Sequence, residues 1–173
     1  MLITLGDTLK LASDMAQAVA GLRIKRGRVS TVTYSKDETP MEHDATVVEL
    51  TEKIQTLNMR IRKCRELIAK CNLETELEYK IGDKPISLAE GLTLLGQLIY
   101  EQREVANLAQ NEPMTRRHAP GSELVDYTIL TYDPQIMHEL KKEMGKHIRQ
   151  LRAAIDRANI TVEVELPDSY MDY

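Results

Sequence analysis

The chain has 173 residues, a formal net charge of −4 and an isoelectric point near 5.6. With 42% hydrophobic and 29% charged residues it reads as soluble and globular, and its acidity gives no global attraction to nucleic acid or anionic lipid. Trp and Phe are absent, so the core is expected from Leu, Ile, Val, Ala and Met, the side chains of packed helices.

The opening stretch MLITLGDTLKLASDM has no basic region before its apolar residues and is not expected to be a secretory signal. No apolar run approaches the roughly 20 residues that span a bilayer. Thr4 and Asp7 form an N-cap signature for a first helix rich in alanine (Ala12, Ala16, Ala18, Ala20), where another helix can approach closely. Gly27 is expected to end it. TVTY (Thr31–Tyr34) then reads as a short strand and SKDETPMEHD as a polar loop. In the second helix Val47, Leu50, Ile54, Leu57, Ile61, Cys64, Ile68 and Cys71 alternate spacings of three and four, a heptad seam. Cys64 and Cys71 lie two helical turns, about 10 Å, apart, too far for a mutual disulfide. They are expected to be small buried hydrophobes.

Glu76–Lys80, the turn at Gly82-Asp83 and Lys84–Ile86 predict a hairpin. Ser87 and Glu90 form a capping box for a third helix, apolar over a wide face through Leu88, Leu92, Leu95 and Ile99 with Leu94, Leu98, Val105 and Leu108. Such a face predicts burial between several neighbours. After the loop marked by NEPM and HAPGSE, ILTY (Ile129–Tyr132) reads as a strand. A fourth helix follows, with its stripe at Met137, Leu140, Met144, Ile148, Leu151, Ile155 and Ala158.

Two stretches repeat. IRKCRELIAKCNLETELE from Ile61 matches IRQLRAAIDRANITVEVE from Ile148, with identities from Ile61/Ile148 to Glu78/Glu165. ITLGDTLKL from Ile3 parallels ISLAEGLTL from Ile86, and TVTY parallels ILTY. The expectation is an internal helix-strand-helix-strand duplication, with halves of about 1–82 and 83–173. The fold class is mainly α (α+β): four long helices in an antiparallel bundle with short strands and hairpins. Each half has two long helices, too few to bury two seams alone, so one domain over 1–173 is expected.

CNLETEL, IGDKP and ISLAEGLTLLGQL, then a basic loop, YTILTYD and RAAIDRANITVEVEL, resemble the septicolysin-like family of small, mainly helical, largely uncharacterised bacterial proteins. The resemblance covers most of the chain and rests most on Asn72, Thr75, Ser87, Leu88, Glu90 and Asn159. Gly96-Gln97 departs from it, since relatives tend to carry Arg-Asp there. The resemblance implies a mainly helical, oligomeric protein and brings no catalytic motif. The family name suggests a cytolysin, but no signal or membrane-inserting segment is read here to support one.

HELKKEMGKH (His138–His147) lacks the second histidine of a zinc motif, which would stand at Lys142. His43, His118, His138 and His147 lie in polar surroundings and read as surface residues. No nucleophile elbow, P-loop or dinucleotide fingerprint occurs, so the chain is not expected to be an enzyme or to need a cofactor or metal. Two basic clusters stand out at matching places in the two halves. RIKRGR supplies Arg23, Lys25, Arg26 and Arg28, and TRRHAPG supplies Arg116, Arg117 and His118. Tyr34 and Tyr132 follow them at matching positions and suit stacking on a base. Arginine forks suit phosphate, so these nine residues predict a site for a small anionic, nucleotide-like ligand at the interface of a homo-oligomer. The protein would sense or sequester this ligand in the cytoplasm. Two alternatives stand beside that reading. The basic residues can simply complement helix dipoles, or the chain can be a structural or protein-interaction module built from heptad seams and edge strands. Nucleic acid is a poor fit, because aromatic residues do not interleave the basic ones.

Overall fold

The computed structural model describes residues 1–39, 43–118 and 125–171, the side chain of His118 excepted. In chain order the elements are β1 (Leu2–Thr4), α1 (Leu5–Arg28), α2 (Val47–Glu74), β2 (Glu76–Ile81), β3 (Lys84–Ser87), α3 (Leu88–Ala109), β4 (Met114–His118), β5 (Val125–Ile129), α4 (Pro134–Thr161) and β6 (Glu163–Glu165), with a 3-10 turn at Asp168–Tyr170. The protein is therefore mainly helical, with its strands in antiparallel pairs: β1 with β6, β2 with β3, and β4 with β5. Contacts divide the chain into two compact units, Met1–Thr75 with Arg157–Tyr173, and Glu76–Asp156.

In the first unit α1 and α2 pack along their length. Leu50, Ile54, Leu57, Ile61, Cys64 and Ile68 are buried as the seam predicts, and Leu5, Leu11, Ala12, Met15 and Val19 meet them from α1. Each buried aliphatic side chain contributes roughly 1.5–3 kcal/mol before the entropy of ordering it. The seam frays at both ends, where Val47 is exposed and Cys71 half-buried. Of the α1 alanines only Ala12 is buried; Ala20 is exposed. Thr4 Oγ1 accepts from Asp7 N at 3.0 Å and donates to the Asp7 carboxylate at 2.7 Å. The fully buried Thr8 hydroxyl donates to Thr4 O. Strand pairing sets Thr4 opposite Glu163 and Ile3 opposite Val164, and Leu5 N donates to Val162 O at 2.7 Å.

In the second unit β2 and β3 form the expected hairpin. Gly82 turns it at φ 62°, a conformation glycine adopts without a Cβ penalty. Leu77 and Ile86 are buried, and Glu76 stands opposite Ser87, whose hydroxyl caps α3 by accepting from Glu90 N. Gly91 packs where a Cβ would overlap Leu77 Cδ1, with Leu151 Cδ1 and Ile86 Cδ1 close behind. On α4, Ile148, Leu151, Ala154 and Ile155 are buried, while Met137 and Met144 are half-buried and Leu140 is exposed. Gly145 lets Gln102 reach the Lys141 carbonyl at 3.1 Å.

Several expectations are corrected. Thr31–Tyr34 forms no strand and is exposed throughout. The strand expected at Ile129–Tyr132 ends at Ile129 and begins at Val125. Its partner, Met114–His118, was read as a loop; TRRH has little strand character alone and becomes strand by pairing with VDYTI. α1 ends one residue beyond Gly27, with Val29 N donating to Lys25 O, and needs no left-handed glycine. A full capping box is present not at Ser87 but at Thr46–Glu49, where hydroxyl and carboxylate each accept from the other's backbone N–H. The wide apolar face of α3 is only partly covered. Leu88, Gly91 and Val105 are buried, Leu94, Leu95, Leu98 and Ile99 are half-buried, and Leu92 and Leu108 are exposed.

Candidate functional site

The basic end of α1 places Lys25, Arg26 and Arg28 in the last turn, where the carbonyl ends favour positive charge, with Arg23 a turn before them. Their side chains diverge. Arg26 is half-buried and donates through Nη1 to Thr51 Oγ1 at 3.1 Å, tying the end of α1 to the first turns of α2. Arg23 and Arg28 are exposed, and Tyr34 beyond them is 55% exposed. Lys25 lines a groove.

That groove, about 790 Å³, lies between the last turns of α1 and the first half of α2. Ala18, Gly21, Leu22 and Leu57 make its apolar floor. A Cβ at Gly21 would meet nothing within 4 Å, so the floor is open there. Lys25, Lys53 and Arg60 supply three cations at the rim, against the carboxylates of Glu49 and Glu52. Glu49 is engaged in the α2 cap. Its carboxylate accepts from Thr46 N, which holds its pKa below the usual carboxylate value, so its charge faces the helix N-terminus. The Arg60 guanidinium lies 5.5 Å from the centroid of the Tyr170 ring, a cation–π contact that steadies it. Groove and rim together suit a flat or apolar group carrying negative charge.

The second basic cluster lies on the β4–β5 ribbon of the other unit. Arg116 stands opposite Tyr127 and Arg117 opposite Asp126, so the two arginines point to opposite faces, and both are exposed. The His118 side chain and the rest of HAPGSE, residues 119–123, lie outside the described residues. Tyr132 has a structural role: its hydroxyl donates to Leu108 O at 3.0 Å and accepts from Asn111 Nδ2 at 2.7 Å, securing the end of α3. Of the nine residues read from the sequence, Lys25 and Arg26 meet the same stretch of α2, while Arg116 and Arg117 share a strand but not a face.

Lys53, Arg60 and Gly21 were not singled out from the sequence. Lys53 and Arg60 each precede a seam residue, Ile54 and Ile61, by one position. That spacing marks a rim flanking the seam, but nothing local tells which rim faces a second helix. Among the described residues no group of three His, Cys, Asp or Glu gathers as a metal site, and no helix is long and apolar enough to cross a membrane. His147 Nδ1 lies 3.2 Å from the Tyr79 hydroxyl. Cys64 is fully buried and unpaired with Cys71, and burial pushes its thiol pKa up.

Neither the protein-family models nor the curated proteins compared with this chain gave a match. Among solved structures, the chain is similar to a functionally unknown conserved protein from Corynebacterium diphtheriae. The TM-score is 0.65 at 20% identity, over 95% of this chain and 100% of that one. At that identity the likeness shows a shared fold and nothing of function.

Proposed function

We propose that this chain is a non-catalytic, oligomeric binding protein that senses or sequesters a small phosphorylated, nucleotide-like ligand in the cytoplasm. The observation that carries this reading is the α1–α2 groove, where Lys25, Lys53 and Arg60 edge an apolar floor. A ring rests on the floor and phosphate oxygens take the cations, the division of labour of small-molecule sites. Arg23 and Arg28, exposed near the end of α1, add positive charge that draws the anion in, while Arg116, Arg117 and His118 belong to the other unit. The resemblance to the septicolysin-like family belongs to the same proposal.

The internal duplication and the four-helix antiparallel bundle are part of it too. Three facts support the duplication. The offset of 87 residues that relates Val47 to Pro134 also relates Glu74 to Thr161, the two ends of α2 and α4. Thr4 and Ser87 cap their helices with the same backbone angles, φ −68° and ψ 158°. Thr4 pairs with Glu163 as Ser87 pairs with Glu76, so each half's first strand takes the other half's last strand, although the β2–β3 register shifts between Glu76 and Lys80.

Calorimetric titration with a nucleoside triphosphate tests the function. Binding by the wild type, lost in Lys25→Glu and in Arg60→Glu with the fold intact, is the expected result. Saturable binding unchanged in both variants, or no binding at millimolar nucleotide, overturns it. A second reading, a protein-interaction module, is favoured by the uncovered apolar positions of α3 and the β4–β5 ribbon, such as Leu92, Tyr100, Tyr127 and Ile129.

A further inference from the structure

The β4–β5 ribbon differs from the other two strand pairs. A buried side chain anchors each of those, Val164 in β1–β6 and Leu77 with Ile86 in β2–β3. Among its described side chains β4–β5 has none, and Tyr127 and Ile129 are 57% and 68% exposed. A two-stranded ribbon is marginal alone and gains stability from further strands beside it. Among the described residues both edges of this one are unpaired, and the whole ribbon lies within the Glu76–Asp156 unit.

The two edges are not alike. Leu130 N donates to Pro113 O at 3.0 Å, so Pro113 and Leu130 face each other as a hydrogen-bonded pair. Such pairs alternate along an antiparallel ladder. In the register that sets Met114 opposite Ile129, Asp126 and Thr128 therefore turn their N–H and C=O groups toward β4. Val125, Tyr127 and Ile129 turn theirs to the open edge. β4 carries Arg116 and Arg117 in succession, and such charges guard an edge against a second strand. β5 carries one charge, Asp126, which stands opposite Arg117 in its own ribbon.

The β5 edge is its own complement. A two-fold axis at Tyr127 sets β5 antiparallel to a second β5. Tyr127 then meets Tyr127 and Val125 meets Ile129, all through outward-facing groups, so each N–H finds a carbonyl. Between them Asp126 meets Thr128, whose hydroxyl can donate to the carboxylate. An axis at Asp126 would set carboxylate against carboxylate, and an axis at Thr128 would carry Val125 past the end of the strand. β4 paired with itself at Arg116 or Arg117 would set arginine against arginine. Charge and register together point to one occupant, a second copy of this chain.

We infer that two copies of this chain associate by pairing their β5 strands antiparallel about a two-fold axis at Tyr127. The two ribbons become one four-stranded sheet with the arginine-bearing β4 strands outermost. The inference rests on the oligomeric reading above and deepens it by naming the surface and its register.

Sedimentation equilibrium of the full chain at micromolar concentration and low salt tests it with five proteins. These are the wild type, Tyr127→Pro, Arg116→Pro, Thr128→Lys and Thr128→Asp. Tyr127→Pro removes an N–H from the open edge of β5 and Arg116→Pro removes one from the open edge of β4, and neither takes a bond from the ribbon itself. The expected result is a multi-chain wild type and Arg116→Pro variant. Tyr127→Pro should associate roughly tenfold more weakly or worse, with unchanged circular dichroism. Thr128→Lys should associate about 2- to 30-fold more tightly, and Thr128→Asp more weakly by a like factor, because each faces Asp126 of the other copy on both sides of the axis. A single-chain wild type overturns both this surface and the oligomeric reading. A multi-chain wild type whose mass survives Tyr127→Pro overturns the surface alone, and so does equal weakening by Arg116→Pro. If Tyr127→Pro alters the circular dichroism, the Thr128 pair decides. Weakening by both Thr128 variants, or an effect of neither, overturns the pairing at Tyr127.

Discussion

Gly91 and Gly96 stand in the same helix, five residues apart, and alanine should act on them in opposite senses. In a helix interior, glycine to alanine stabilises by about 1 kcal/mol through backbone entropy. At Gly96 a Cβ meets nothing within 4 Å, so that gain is undiluted. At Gly91 the new methyl overlaps Leu77 Cδ1, and Leu77 is only 4% exposed, with Ile86 and Leu151 behind it. Leu77 has no open side to move into, and inserting a methyl group into such packing costs about 1–3 kcal/mol. The expected outcome is Gly96→Ala more stable by up to about 1 kcal/mol and Gly91→Ala less stable by up to about 2 kcal/mol. Thermal melts followed by circular dichroism would separate the two variants by roughly 2–12 °C, given about 2–4 °C per kcal/mol for a chain of this size. Equal stabilisation by both alanines would refute the account of how α3 is seated on β2, β3 and α4.

Four further outcomes follow from the structure. Thr46→Ala should cost about 1 kcal/mol by removing the α2 cap, read as a lowered urea midpoint. Glu49 has its folded pKa depressed, so its contribution is present above the ordinary carboxylate pKa and is lost as pH falls through the lower folded value. Wild type and Glu49→Gln should therefore differ in stability at pH 7 and converge near pH 2. Cys64, buried and with its thiol pKa raised, should resist iodoacetamide in the folded protein, while half-buried Cys71 is labelled first, as peptide mass spectrometry would show. Leu151→Ala should cost about 2–5 kcal/mol, because Leu151 is fully buried against the Gly91 seat.

Much of the fold was legible because its signals are local. The α2 seam is a period, the β2–β3 turn is a glycine at positive φ, and the Thr4 cap lies within four residues of its partner. What depends on a distant partner was not legible. TRRH becomes a strand only beside VDYTI, whereas TVTY, with better strand propensity, forms none. The periodicity of α3 marks which positions are apolar but not how fully each is covered, and half of its wide face is only half-buried. The candidate site followed the same rule. Lys25 was visible in a basic run, but its groove needed Lys53 and Arg60 from α2, which read in sequence as ordinary rim charges. Tyr132 looked like a stacking residue and instead secures the end of α3 through its hydroxyl.

The central claim is that this chain assembles and carries a small anionic ligand. A native mass spectrum of the freshly purified protein, repeated after denaturation, tests it most directly. The account predicts a complex of more than one chain bearing a small-molecule mass that disappears on denaturation. A single chain with no added mass would contradict it.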